Sequence, residues 1–242
     1  MRKDGRTEEE IRPCTIECGC IRHAEGSAFI RVGDTHVLCV ASVSDRVPKW
    51  LARSEQGWIT AEYSMLPRST AERTPRESTA GVSGRTQEIQ RMIGRALRAV
   101  CDLHMLGTWS IVVDCDVIQA DGGTRTAAIT GAYVALAQAI SWMIQHNLVR
   151  TWPLSAQVAA ISAGLVQGDV LVDLTYEEDR SASVDLNLVL THKGQVVEIQ
   201  AAAEGNPFSV EQLNRLIGGA SKGLKILFEI QRKALEGIVV RS

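Results

Sequence analysis

"DVIQADGGTRTAAITGA", Asp116 to Ala132, changes its period in the middle. Before Gly122-Gly123 the residues alternate. From Trp109 to Gln119, Ile111, Val113, Cys115 and Val117 share one face while Asp114 and Asp116 take the other, as in a half-buried strand. After the glycine pair the chain turns alanine-rich and stays apolar to about Gln145, which predicts a helix from Thr124 to Gln145. Thr126, Thr130, Gly131, Gln138 and Ser141 interrupt this most apolar window of the chain, so it reads as a buried helix rather than a membrane span. A strand, a flexible turn and a helix start therefore meet at residues 120–125, with an arginine among them.

The same two periods organise the chain on either side. Upstream, "CTIECGC" (14–20), "SAFIRV" (27–32), "THVLCVASVS" (35–44) and "WITAEYSM" (58–65) alternate as strands, with Gly26 and Gly33-Asp34 read as turns. A loop rich in Arg, Ser, Thr and Pro follows from Pro67 to Gly84. Beyond it Ile89, Met92, Ile93, Ala96, Leu97 and Val100 recur at helical spacing, with a helix start near Gly84-Arg85-Thr86. Downstream, strands are predicted at 157–166, 170–175, 183–191 and 195–203. A last helix begins at Ser209, whose Ser-x-x-Gln212 spacing is that of a capping box, and ends near Leu235. The tail beyond it carries no signal. Strands followed by a helix occur at least twice, so the expected class is α+β with some internal duplication. No linker or low-complexity tract divides the chain, so residues 1–242 are read as a single domain.

Composition narrows the function. The chain has 242 residues, 45% hydrophobic, with a net charge of −2, which argues against wholesale coating of nucleic acid. Locally the balance differs: from Arg68 to Arg98 there are seven arginines, no lysine and only three glutamates, a local charge of +4. A solvated helix face would account for some of this. Guanidinium groups, however, bind phosphate in two-point fashion where ammonium groups do not. Residues 1–13 are charged throughout and have no apolar stretch of the kind a secretory signal needs. The six cysteines form no Cys-x-x-Cys pair. Cys14 and Cys18 on one strand would lie about 13 Å apart, too far to share a zinc ion. They are read as reduced, packed thiols of a cytoplasmic protein. The five histidines are scattered without ligand spacing.

The turn at 120–125 suits an anion. A helix start leaves amides unpaired and carries a partial positive charge, adjacent glycines allow close approach, and Thr124 is a competent N-cap with a hydroxyl to spare. A plain strand-to-helix turn with Arg125 in solvent is the alternative at this one place. Gly84-Arg85-Thr86 repeats the idea at a second helix start, which points to more negative charge than one phosphate ester. Among the carboxylates of 173–187, Glu177-Glu178-Asp179-Arg180 reads as a solvated turn. Asp185 stands opposite Val184, Leu186 and Leu188 on an apolar strand, where an ionised group needs a partner or a task. Carboxylates for Mg²⁺ or proton transfer, combined with arginines for phosphates, form the inventory of phosphoryl or nucleotidyl transfer.

"HAEGSAFIRVGDTHVLC", "GWITAEYSMLPRST", "RTQEIQRMIGRALRAV", "DCDVIQADGGTRTAAITGA", "DLTYEED" and "AAAEGNPFS" together resemble the ribonuclease PH family, in the same order and from the start of the chain to past residue 230. The resemblance implies a duplicated βαβα-type domain with mixed sheets and helices. It also implies a phosphate-dependent tRNA nucleotidyltransferase that trims RNA 3′ ends, assembled as a homohexamer of three dimers. On the matching positions it implies Arg85, Gly123, Thr124 and Arg125 for phosphate, and Asp179 and Asp185 for Mg²⁺ and general-acid chemistry. Arg68, Arg73 and Arg76 fall in the loop associated with RNA contact and assembly. Ser83 in place of a second glycine, and Asp185-Leu186-Asn187 in place of Asp-Met-Asn, are small departures that remove no charge. A hydrolytic metal-dependent nuclease and a non-catalytic subunit of an RNA-degrading ring are the competing readings.

Overall fold

The computed structural model describes residues 2–51, 53–54, 56–77 and 81–238. The loop expected from Pro67 to Gly84 is described except at 78–80, and the last four residues of the uninformative tail lie outside the described residues. Nine strands form two sheets among the described residues. The first contains β1 (Cys14–Cys18), β2 (Gly26–Val32), β3 (Thr35–Ser44), β4 (Trp58–Met65) and β5 (Ser110–Gln119) in the order β1-β2-β3-β5-β4. Only β4 and β5 pair in parallel. Parallel neighbours need a crossover, which α1 (Gly84–Arg98) supplies between them. The second sheet is antiparallel throughout: β6 (Val158–Val166), β7 (Asp169–Val172), β8 (Val184–Thr191) and β9 (Val196–Ala203), in the order β7-β6-β8-β9.

Helix α2 (Thr124–Gln145) lies between the sheets, against β2, β3 and β5 on one side and β6 on the other. It is long and apolar enough to cross a membrane, yet it is buried inside the protein almost all round. That explains why it lacks an amphipathic stripe. Its neighbours come close. A Cβ at Gly131 would sit 2.8 Å from both Cys39 Sγ and Ile30 Cγ2. At Gly26 a Cβ would overlap the Ala135 carbonyl oxygen, so Gly26 begins β2 and lets it touch α2; it is not the turn expected from sequence.

Helix α4 (Val210–Ala234) covers the far face of the second sheet. Its capping box, Ser209 with Gln212, is present as expected. The period of β8 decides what faces each side. Val184, Leu186, Leu188 and Leu190 join the apolar cluster with Leu216, Ala220 and Leu224 of α4, whereas Val189 joins the cluster around α2. Asp185 and Asn187 belong to the α2 side by the same alternation. The short helix α3 (Tyr176–Ser181) corrects the turn expected at Glu177–Arg180. A capping box between Thr175 and Glu178 closes it, and charged side chains without an apolar period had hidden it. Strand β7 ends at Val172, short of the expected 175, because Asp173 turns the backbone to φ 57°.

Candidate active site

The α2 N-terminus is built from the outside by its glycines. Gly122 and Gly123 adopt φ 71° and 64°, a region that favours glycine. Gly122 also has no room for a side chain, since a Cβ would lie 2.5 Å from Leu174 O and 2.8 Å from the Tyr176 amide nitrogen. Thr35 pins the loop from below: its hydroxyl accepts from the Asp121 amide (2.9 Å) and donates to Gly122 O (2.6 Å).

The N-cap is Gly123 rather than Thr124, and no side chain caps the helix. Thr124 is the first helical residue. Its hydroxyl accepts a hydrogen bond from Tyr63 (2.8 Å), so it is engaged on one side. The uncapped amides and the helix dipole therefore face whatever sits above the loop. An oxyanion is the ligand that matches.

Arg125 extends from this start and is held on both flanks. Its Nη1 donates to Gln200 Oε1 on β9 (3.2 Å) and lies 4.0 Å from Glu88 on α1. Gln200 in turn donates to Glu198, which receives two bonds from Arg95 of α1. Arg85, at the start of α1, is exposed and has no side-chain partner among the described residues. The second helix start is not a copy of the first. Ser83 caps α1 by accepting from the Thr86 amide, and the Thr86 hydroxyl donates to Glu77 (2.6 Å), so Thr86 is already occupied.

Asp179 and Asp185 converge on the same space. The Asp179 carboxyl is raised above its ordinary value, by loss of solvent first and by the charge of Asp185 second, while Arg125 and Arg85 pull it back. Burial likewise raises the Tyr63 phenol, against the bond to Thr124 and the charges of Arg85 and Arg125. All four charged groups thus act on one region. The cross-strand partners of Asp185 are the small residues Gly164 and Ala202. Neither aspartate carboxylate has a hydrogen-bond partner among the described residues, and no cluster of three metal-binding side chains occurs among them.

Arg68, Arg73 and Arg76 are exposed on the loop between β4 and α1. The loop is tied to the site: Leu66 N donates to Val117 O, and Ala120 N donates to Ser69 O one residue before Asp121. Sequence reasoning missed Tyr63 and Gln200, and also Arg12 and Asp173, which brace the Gly122-Gly123 loop from behind. Tyr63 alternates like a core residue, and Gln200 sits among ordinary strand residues, so neither carries a local signal.

The family model for the 3′ exoribonuclease family, domain 1, matches residues 10–140, and that for domain 2 matches residues 156–223. The ribonuclease PH of Moorella thermoacetica is 52% identical over 242 residues, covering 100% of this chain and 97% of the relative. That of Bacillus subtilis is 54% identical over 237 residues, covering 97% of each. Among solved structures, rice (Oryza sativa) Rrp46 superimposes with a TM-score of 0.79 at 21% identity, over 97% of this chain and 100% of that one. The Archaeoglobus fulgidus exosome with RNA bound to the active site gives 0.79 at 22%, over 94% and 91%. With both family models matched across most of its length and relatives more than half identical end to end, the chain belongs to the 3′ exoribonuclease family.

Proposed function

We propose that the protein is a phosphorolytic 3′-to-5′ exoribonuclease, a tRNA nucleotidyltransferase that trims precursor 3′ ends with inorganic phosphate. The observation that carries this reading is the meeting of Arg125, Arg85 and the uncapped α2 amides with Asp179 and Asp185. Two anions must be brought together, the attacking phosphate and the terminal phosphodiester. Two guanidinium groups and a helix dipole offset their repulsion.

An oxygen of inorganic phosphate attacks the terminal phosphodiester phosphorus. The bond from that phosphorus to O3′ of the preceding nucleotide breaks. The last nucleotide leaves as a nucleoside diphosphate, and the freed O3′ takes a proton. Gly123, Thr124 and Arg125 with Arg85 hold the nucleophile, while Arg68, Arg73 and Arg76 guide the RNA strand. Without a metal ion, Asp179, whose proton affinity is raised, suits delivery of the proton; with the ion bound it would be ionised and serve as a ligand instead. The two unpartnered carboxylates also fit Mg²⁺, which is commonly held by one or two carboxylates together with substrate phosphates. Asp179 and Asp185 would be its protein ligands. When bound, the ion would neutralise charge on the reacting phosphates.

The fold shared with exosome proteins, one of them with RNA bound at its active site, fits an RNA-binding oligomer. We place the chain in a homohexamer of three dimers. Strand β9 supports this, since it ends the second sheet and exposes Val196 and Ile199, an edge that a neighbouring subunit would cover. Six free thiols, of which burial first of all pushes Cys14 up to about 12, fit a reducing cytoplasm. A non-catalytic ring subunit has no need for Arg85, Arg125, Asp179 and Asp185 together. Steady-state assays with phosphate varied test the assignment. Arg85→Ala and Arg125→Ala should each raise the KM for phosphate by at least about tenfold, roughly one charge-assisted hydrogen bond. Unchanged phosphate dependence in both would remove them from the site.

A further inference from the structure

Three arginines of the charged amino-terminal segment, Arg2, Arg6 and Arg12, are buried to 8%, 8% and 4% exposure. Arginine is almost never buried to this degree unless paired, and nothing in the reaction described above uses them. They converge on two carboxylates next to the site. Arg2 grips Glu178 with two bonds (Nε to Oε1 2.8 Å, Nη2 to Oε2 2.7 Å) and also donates to Val172 O and Asp173 O. Arg6 donates to Asp173 O (3.1 Å) and lies 3.7 Å from Glu178. Arg12 holds the Asp173 carboxylate through its amide, Nε and Nη2 (2.7, 3.0 and 2.7 Å), and its Nη1 donates to the carbonyl of Asp121.

Each anchor leads to one half of the site. Glu178 precedes Asp179 on α3, a helix of six residues with no buried side chain. So short a helix has neither internal stability nor an apolar face to locate it. Its position comes from polar ties: the capping box at Thr175, the Arg2–Glu178 pair, and the Tyr176 amide donating to Asp121 (3.1 Å). Asp121 leads into Gly122, whose backbone rests on residues 174–176 without space for a side chain, and then into Gly123, where a Cβ would sit 3.1 Å from Arg12 Nη2. Asp173 lies between, in a left-handed conformation that an aspartate adopts at a cost unless its surroundings fix it.

We propose that residues 2–12 form a strap that sets the spacing between the acid helix and the phosphate loop, with Arg2 positioning Asp179 through Glu178 and Arg12 positioning the loop through Asp121. This rests on the functional reading above. The two ends have separate signatures. Arg2 bonds Glu178 of α3 and the carbonyls of Val172 and Asp173 but makes no bond to Asp121 or the glycine pair, so its loss falls first on the carboxylate side of the site. Arg12 touches both.

The test compares Arg2→Gln, Glu178→Gln and Arg12→Lys with wild type, using a short RNA, inorganic phosphate and magnesium chloride, and following nucleoside diphosphate release. Arg2→Gln and Glu178→Gln should each lower kcat by about tenfold to a hundredfold, the loss expected of a misplacement near 1 Å, with the KM for phosphate within about twofold. The double variant should be no worse than Arg2→Gln alone, because the Arg2–Glu178 ion pair is already lost there. Arg12→Lys should raise the KM for phosphate as well. Circular dichroism and thermal melting identify variants that fold; if Arg12→Lys does not, the Arg2 and Glu178 variants decide. An unchanged kcat in folded Arg2→Gln, or equal changes in kcat and phosphate KM there, overturns the strap. Wild type that releases no nucleoside diphosphate overturns the functional reading itself, so the two failures are told apart.

Discussion

Tyr63 reaches Thr124 across 61 residues of sequence and fixes one side of the hydroxyl that begins α2. A phenylalanine there keeps the ring in its buried place and removes only this bond. A hydrogen bond of this kind contributes about 1 kcal/mol net, so Tyr63→Phe should lower the melting temperature by about 2–4 °C and raise the KM for phosphate by up to about fivefold. Titration of the rate with phosphate checks it, and an unshifted KM would show that Thr124 is placed by the helix alone. At this scale the sequence disclosed charges standing where structure did not require them. Arg85 and Arg125 at helix starts, and Asp185 on an apolar strand, were visible for that reason. Tyr63, Gln200 and Arg12 were not, because each acts on a partner far away in the chain. Gln200 reaches Arg125 across 75 residues and Arg12 reaches Asp121 across 109.

Long elements were legible because their periods are. Strands β3 and β4 fall on the expected limits, and so does α2, while the capping box placed the start of α4. Shorter or crowded pieces were not. Helix α3 has too few residues to show a period, and its charges suit a turn equally well. Gly26 shows the other failure: a glycine needed for close approach looks, in sequence, like one needed for a turn. The distinction is testable. A Cβ at Gly26 would press on the backbone of α2, overlapping Ala135 O and lying 2.7 Å from Ala139 N. Backbone does not yield as a flexible side chain does. Gly26→Ala should therefore cost about 2–3 kcal/mol, the upper part of the range for overpacked cores, where a turn glycine with negative φ would tolerate alanine. Chemical denaturation measures it, and an unchanged midpoint would mean that β2 and α2 can separate without loss.

Over the whole molecule the two sheets enclose α2 and bring its N-terminus, α1, α3 and β8 to a common edge, where Arg85 and Arg125 meet Asp179 and Asp185. The modest net charge of −2 conceals this arrangement. Arginines at 68, 73 and 76 extend the positive side onto a loop fastened beside Asp121. If they guide the RNA, Arg68→Ala and Arg73→Ala should weaken RNA binding. Each should also flatten the slope of log affinity against log salt by about 0.7 for every RNA phosphate that is no longer neutralised. An unaltered slope would assign these residues to subunit assembly instead. Neither assembly nor RNA path could be read from periodicity or charge alone, since both depend on surfaces that come together only in the folded chain or between copies of it.

On the proposed function, the site gathers inorganic phosphate as the nucleophile. The most direct measurement is the identity of the nucleotide released from a short RNA, with orthophosphate supplied and with it removed. Nucleoside diphosphates formed only in the presence of phosphate are the predicted result. Nucleoside monophosphates, or shortening at the same rate without phosphate, would contradict it.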